Sequence, residues 1–170
     1  MSPKQWRKSV VSVLHKSGDE RLPQNYRPIT IIPILYKLFS MLLYSRLQPI
    51  LECEQSKDQA GFRKNYSTID HLFTLCRVYE KCGEYQFPLW ASAIDFKKAF
   101  DTISHNKLWE ALREQMVEEE YIDLLKHLYA DQIGQVRTDV LSKPYRIERG
   151  TKQGDPLSSL LFNAFVESIL

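Results

Sequence analysis

Asp95 stands where an apolar run ends. Leu89, Trp90, Ala91, Ala93 and Ile94 precede it, a run long enough for a β-strand covered on both faces and too short for most helices. The chain then changes to Phe96-Lys97-Lys98-Ala99-Phe100-Asp101, which predicts a polar turn opening a short helical turn, with a large aromatic five residues after the acid. A carboxylate at the end of a buried strand lies at a sheet edge. A lone Asp at such a point also serves as a turn former or helix cap.

Three further groups have types and spacings suited to chemistry. Arg149 to Asn163 contains a loop flanked by Gly150 and Gly154 that feeds a helix at Pro156, so backbone amides and the Gln153 side-chain amide can approach a nucleotide or template base closely, while taken in isolation it reads equally as a structural loop. Lys16 and Arg27 flank a turn rich in Gly, Pro, Asp and Asn; a point charge and a planar fork projected together suit phosphates, while each taken singly reads as a solvated surface cation. In Asp58-Gln59-Ala60-Gly61-Phe62-Arg63 the glycine permits a tight turn and a close backbone approach, or is a plain loop glycine.

The elements that must position these groups follow from periodicity. Residues 9–15 are rich in β-branched side chains, and with Tyr26–Ile32 they predict a hairpin. From about Pro33 to Leu51 the apolar residues Leu35, Leu38, Phe39, Leu42, Leu43, Leu47, Ile50 and Leu51 fall at steps of three and four, an amphipathic helix whose stripe is core and which Pro49 should bend or end. Ser67 to Asp70 reads as a capping box with Asp for Glu, opening a helix to about Lys81 on which His71 and Cys76 pack. Helices from Ser104 to Met116 and from Glu119 to Ala130 come next, then strands at Gln135–Leu141 and Tyr145–Glu148.

These groups together carry a family resemblance. Asp95 to Asp101, followed by His105, closely resembles the first catalytic motif of reverse transcriptases, above all those of non-LTR (LINE-like) retrotransposons. Asn25-Tyr26-Arg27-Pro28-Ile29 resembles the N-[YW]-R-P-I block of that type, and Gln59 to Arg63 its Q-x-G-F-R block. Arg149 to Asn163 resembles R-G-x-x-Q-G-x-P-[LI]-S-x-x-L-F and is the most specific match, with Gln153 placed 58 positions after Asp95. The blocks run in the family's order from Lys16 to Asn163.

The resemblance implies an α+β fold, the fingers and partial palm of a right-hand polymerase, with an antiparallel palm sheet packed on helices. Residues 1–88 would be fingers and 89–170 palm. The implied reaction is RNA-directed DNA polymerisation, nucleotidyl transfer to a primer 3′-OH, with an RNA template, a DNA primer and deoxynucleoside triphosphates as partners. Two Mg²⁺ ions, or Mn²⁺ in their place, would be held by Asp95 and the Phe96 carbonyl, Asp95 being the catalytic carboxylate. By the same resemblance Lys16 and Arg27 contact the triphosphate, Phe100 lies under the sugar as a steric gate, Gln153 and Gly154 face the nucleotide, and Gln59, Gly61 and Arg63 lie near the template. Asp101 is expected to hydrogen-bond within its turn and His105 to be structural.

Tyr129-Ala130-Asp131-Gln132 imitates the Y-A-D-D metal-binding turn, but it ends a helix and has Gln132 at the second acid position. The sequence reaches Leu170 before any [YF]-x-D-D turn, so the expectation is a fragment inactive on its own. Two other readings stay open: a catalytically dead nucleic-acid-binding remnant of a decayed element, and a polymerase of the group II intron or retron type.

Composition bounds these readings. Charged residues make up 26% and hydrophobic ones 44%, ordinary for a globular chain. Net charge is +2, yet residues 1–80 carry 12 Lys+Arg against 7 Asp+Glu and residues 81–170 carry 11 against 14. A basic half beside an acidic one suits a protein that grips phosphates on one side and cations on the other, or is a chance unevenness of surface charge. The apolar-rich stretch Ile29–Leu47 is interrupted by Pro33, Tyr36, Lys37, Ser40 and Arg46, so no membrane span is expected. Three cysteines form neither an even disulfide set nor a zinc spacing, and no signal peptide is visible, so the expected location is intracellular, cytoplasm or nucleus.

Overall fold

A computed structural model describes residues 3–169, so residues 1, 2 and 170 of the two expected regions lie outside it. Strand β1 (Lys8–His15) turns back through a loop and a short 3₁₀ turn into β2 (Tyr26–Ile31). The two pair antiparallel from Val10 opposite Ile31 to His15 opposite Tyr26, the hairpin expected from the sequence. Strand β3 (Gln132–Arg137) lies along the other side of β1 in parallel, and β4 (Tyr145–Ile147) closes the sheet antiparallel to β3, in the order β2-β1-β3-β4.

The sheet is therefore mixed rather than antiparallel throughout. A parallel pair needs a long crossover, and more than one hundred residues with five helices separate β1 from β3. The sheet also draws two strands from each of the two expected regions.

Helix α1 (Ile34–Glu54) carries the first packing surface. Its buried positions are Tyr36, Ser40, Leu43, Leu47 and Leu51, so the buried stripe is rotated from the expected one: Leu35, Leu38 and Leu42 face out, and two hydroxyls face in. The helix also passes through Pro49. An interior proline costs about 3 kcal/mol, but Leu47 and Leu51 on either side of it are fully buried, each contributing roughly 1.5–3 kcal/mol. Packing outweighs the break.

Helices α4 (His105–Glu114), α5 (Glu119–Tyr129) and α6 (Pro156–Glu167) complete the core with α1. Buried residues recur around most of α6, including Leu157, Leu160, Leu161 and Ala164, which makes it the central helix. Its start is fixed locally: Pro156 fills the first helical position and the Asp155 carboxylate accepts the Leu157 N–H. Tyr129 to Gln132 ends α5, as read from the sequence, and runs straight into β3, which begins at Gln132 and ends at Arg137 where a strand from Gln135 to Leu141 was expected.

The middle of the chain is different. Helix α2 (Thr68–Glu84) has the expected cap, the Ser67 hydroxyl accepting the Ile69 N–H, yet none of its residues is buried. His71 is half-buried and Cys76 exposed, so neither joins a core. Leu89 to Ile94 forms no strand: Trp90 is 92% and Ile94 76% exposed. This corrects the expected buried strand: a strand is completed by pairing, and residues 89–94 pair with none of the four described strands. The helical turn after Asp95 does form, as α3 (Ala99–Thr102), entered through Lys98 at φ 52°.

Candidate active site

The loop from Gly150 to Asp155 is held on two sides. On one, Gly150 N–H donates to the Ile103 carbonyl at 2.8 Å and Thr151 N–H to the Phe100 carbonyl at 2.7 Å, fastening the loop to α3 and the residue after it. On the other, Thr30 N–H of β2 donates to the Gln153 carbonyl at 2.8 Å. Both glycines are required. Gly150 has φ +85° and a Cβ there would meet the Asp101 backbone oxygen at 2.8 Å; Gly154 has φ +108° and its Cβ would meet the Thr30 oxygen at 3.0 Å. His105 completes the seam with Nε2 2.9 Å from the Gly150 carbonyl, the structural part expected of it.

This stitching brings together residues distant in sequence. Arg27, Phe62, Phe100, Gln153, Gly154 and Ser159 are among those lining one open cavity of about 560 Å³. Arg27 reaches it because Arg27, Ile29 and Ile31 share one face of β2, while Tyr26, Pro28 and Thr30 share the other. Phe100 is half-buried, stacked on Phe162 at 4.7 Å between centroids and edge-on to Phe62 at 5.7 Å. It is at once a packing residue and a wall of the cavity.

Other expected residues stand apart. Lys16 is exposed just past β1, its N–H donating to the Asn25 carbonyl, and it does not line the cavity. Arg63 is occupied: its side chain is 4% exposed, ion-paired with Glu52 at 2.8 Å, donating to the Ser56 and Gln59 carbonyls and lying over the Tyr66 ring. Gln59 and Gly61 are both tied to Asn163 of α6, whose Oδ1 accepts from Gln59 Nε2 at 3.1 Å and whose Nδ2 donates to the Gly61 carbonyl at 2.8 Å. Asn163 fastens the Gln59–Arg63 loop as backbone bonds fasten the glycine loop.

Asp95 is exposed in the irregular stretch before α3, and Phe96 is largely exposed beside it. Asp101 hydrogen-bonds within its turn through the backbone, its N–H donating to the Lys98 carbonyl at 2.9 Å, while its carboxyl makes no hydrogen bond among the described residues; burial pushes that carboxyl above the usual range, against the opposing pull of Lys98. Among the described residues no group of three or more His, Cys, Asp or Glu side chains could hold a metal. A divalent cation that prefers six oxygens does not fit here on Asp95 and one carbonyl.

Two buried charges were not foreseen as part of the site. Asp155 accepts from the Tyr36 and Ser40 hydroxyls of α1. Lys152 lies over the Tyr36 ring at 4.2 Å, and burial lowers its ammonium to about 8, partly opposed by Asp155. The sequence signal for Asp155 was the Asp-Pro pair at a helix start; for Tyr36 and Ser40 it was two hydroxyls one turn apart among leucines.

No helix among the described residues is long and apolar enough to cross a membrane, and the three cysteines are unpaired. Comparison with known proteins agrees with the motifs. Residues 14–170 match the family model for reverse transcriptase (RNA-dependent DNA polymerase). The chain is 31% identical over 99% of its length to the retrovirus-related Pol polyprotein from type-1 retrotransposable element R2 of Popillia japonica. It is 29% identical over 98% to the probable RNA-directed DNA polymerase from transposon BS, and 30% identical over 94% to that from transposon X-element, both of Drosophila melanogaster. It spans 24%, 19% and 18% of those relatives' lengths. By the family match and these relatives, the chain belongs to the reverse transcriptase (RNA-dependent DNA polymerase) family, of the non-LTR retrotransposon type.

Proposed function

We propose that this chain forms the nucleotide-facing part of an RNA-directed DNA polymerase, with residues 1–88 as fingers and 89–170 as the start of the palm. The observation that carries the reading is the convergence of Arg27, Phe100, Gln153 and Gly154 on one cavity through a loop bonded to both β2 and α3. Arg27 is placed to fork onto a triphosphate. The Gln153 amide and the open backbone at Gly154 give donors and a close approach for the base or sugar. Phe100, braced by Phe162, gives a flat wall for the sugar, the position from which a ring can exclude a 2′-hydroxyl by lack of room.

Lys16 belongs to the same phosphate-facing hairpin and would reach the triphosphate only by bending toward the cavity. Gln59 and Gly61 would present the template strand, and Arg63, being occupied, would act by holding that loop rather than by touching nucleic acid. Reverse transcriptases generally use divalent metal ions. For Mg²⁺ or Mn²⁺ and the two-metal chemistry, Asp95 and the Phe96 carbonyl are at most part of a ligand set, and further carboxylates would have to join them. Primer extension with RNA template, DNA primer and deoxynucleoside triphosphates would then belong to a longer polypeptide of the relatives' kind, and the 170 residues alone would be inactive.

The test is a titration of the chain with a deoxynucleoside triphosphate. Arg27→Ala should weaken binding by roughly 1.5–3 kcal/mol, the worth of a charge-assisted contact. Binding unchanged in Arg27→Ala, or absent from the wild type at millimolar nucleotide, would refute the assignment of this cavity.

A further inference from the structure

We propose that Asp155 is a positioning residue of the nucleotide site, and that the hydroxyls of Tyr36 and Ser40 on α1 set it. The inference rests on the polymerase reading for its functional consequence and on the geometry for the clamp itself.

An Asp before Pro at a helix start needs only one explanation, the cap it makes on the Leu157 N–H, found here at 3.2 Å. Such a cap is normally solvated. Asp155 is only 5% exposed, and both carboxylate oxygens are engaged beyond the cap: Tyr36 OH donates to Oδ2 at 3.0 Å and Ser40 Oγ to Oδ1. Those hydroxyls belong to residues 1% exposed and one turn apart on a face of α1 that is otherwise leucine where it meets the core.

Three residues earlier, Lys152 is buried as well. Its carbonyl accepts from Asp155 N–H at 3.0 Å and from Ser158 Oγ at 2.9 Å, and its ammonium donates to the Trp6 carbonyl at 3.4 Å. Residues 152 and 155 are thus two fixed posts with Gln153 and Gly154 as the span between them, and Asp155 lines the cavity together with that span. Burying a carboxylate and an ammonium is costly, and apolar residues would fill the same volume more cheaply. What the charged posts add is a single allowed position for the span, because a carboxylate with three donors aimed at it cannot slide or turn without losing one.

Tyr36 and Ser40 do not line the cavity, so they test the idea without touching nucleotide. The experiment measures, on the full chain, the dissociation constant for a deoxynucleoside triphosphate and the exchange of the hydrogen-bonded Asp155 and Leu157 amides within 153–157. It compares wild type, Ser40→Ala, Tyr36→Phe with Ser40→Ala, Ser40→Thr, and Leu47→Val as a control that loosens the same helix elsewhere. The expected result is about a tenfold loss of affinity and about a tenfold rise in exchange in the double variant, which removes both hydroxyl hydrogen bonds to the carboxylate. Ser40→Ala should show a smaller change of the same kind, Ser40→Thr should keep both near wild type, and Leu47→Val should lower stability while leaving both unchanged. If the double variant and Ser40→Ala change stability alone, as the control does, the clamp is structural and the proposal falls. If wild type binds no nucleotide, the polymerase reading of the cavity fails, while faster exchange confined to 153–157 in the hydroxyl variants still decides for or against the clamp.

Discussion

The glycine loop and the aspartate segment are the two stretches that most resemble the family, and they are built in opposite ways. The loop 150–155 is bonded to β2, to α3 and to α1, and the helix it opens is the most buried in the chain. Residues 87–96 have no regular structure and expose Trp90 and Ile94, and α2 before them buries nothing. Equal likeness in sequence thus hides unequal self-sufficiency. A loop fixed by glycine conformations, a helix cap and nearby hydroxyls carries most of its instructions within these 170 residues, whereas a strand is completed by its neighbour.

The contrast can be broken most sharply through chemistry. In a polypeptide of the relatives' full length carrying these residues, Asp95→Ala should reduce primer extension by at least ~1,000-fold, about 4 kcal/mol in the barrier. Extension that survives the change would remove Asp95 from the reaction.

Stability gives the next test. Leu161→Ala in the middle of α6 should cost about 2–5 kcal/mol, and Leu72→Ala on exposed α2 less than ~0.5 kcal/mol, both read by denaturant unfolding of the chain. Similar losses at the two sites would show that α2 is packed in solution.

The loop's buried cation makes stability depend on pH. Below about 8 the Lys152 ammonium is charged in folded and unfolded chains alike, and its burial is a fixed penalty. Between about 8 and 10.5 the folded chain has released a proton that the unfolded chain still holds, so stability rises with pH, and above 10.5 the penalty is gone. At about 1.4 kcal/mol per pH unit the gain is roughly 3 kcal/mol. Lys152→Met should flatten this rise in unfolding curves taken across the window; an equal rise in both proteins would assign it to other groups.

A smaller effect concerns Phe100. In the full-length context Phe100→Val should raise ribonucleotide use relative to deoxyribonucleotide, by about 1–3 kcal/mol of discrimination. Loss of activity toward both with the ratio unchanged would leave Phe100 as packing under Phe62 and Phe162 alone.

Much of this was legible before the structure. The hairpin, the helices from Ser104 onward and the start of α6 rest on local signals, namely β-branching, periodicity and caps, whereas the expectation that Arg27, Phe100, Gln153 and Gly154 face one nucleotide came from the resemblance to reverse transcriptases. What was not legible depends on distant partners. The parallel pairing of β1 with β3 has no local mark, and the stripe of α1 turned because Tyr36 and Ser40 satisfy a carboxylate 119 and 115 positions away. Arg63, expected near the template, is held by Glu52 and two backbone carbonyls, partners that its own motif does not mark. The segment before Asp95 reads as a strand by composition, and composition cannot say whether an edge is there to receive it.

Hydrogen exchange of the chain, free and with a deoxynucleoside triphosphate, tests the central claim most directly. The hydrogen-bonded amides of Thr151, Asp155 and Leu157 should be protected in the free chain and those of 89–96 should exchange freely, with nucleotide adding protection at 151–155, on β2 and at α3 but not at 89–96. Equal protection of the two stretches in the free chain, or nucleotide protection that misses 151–155, would contradict it.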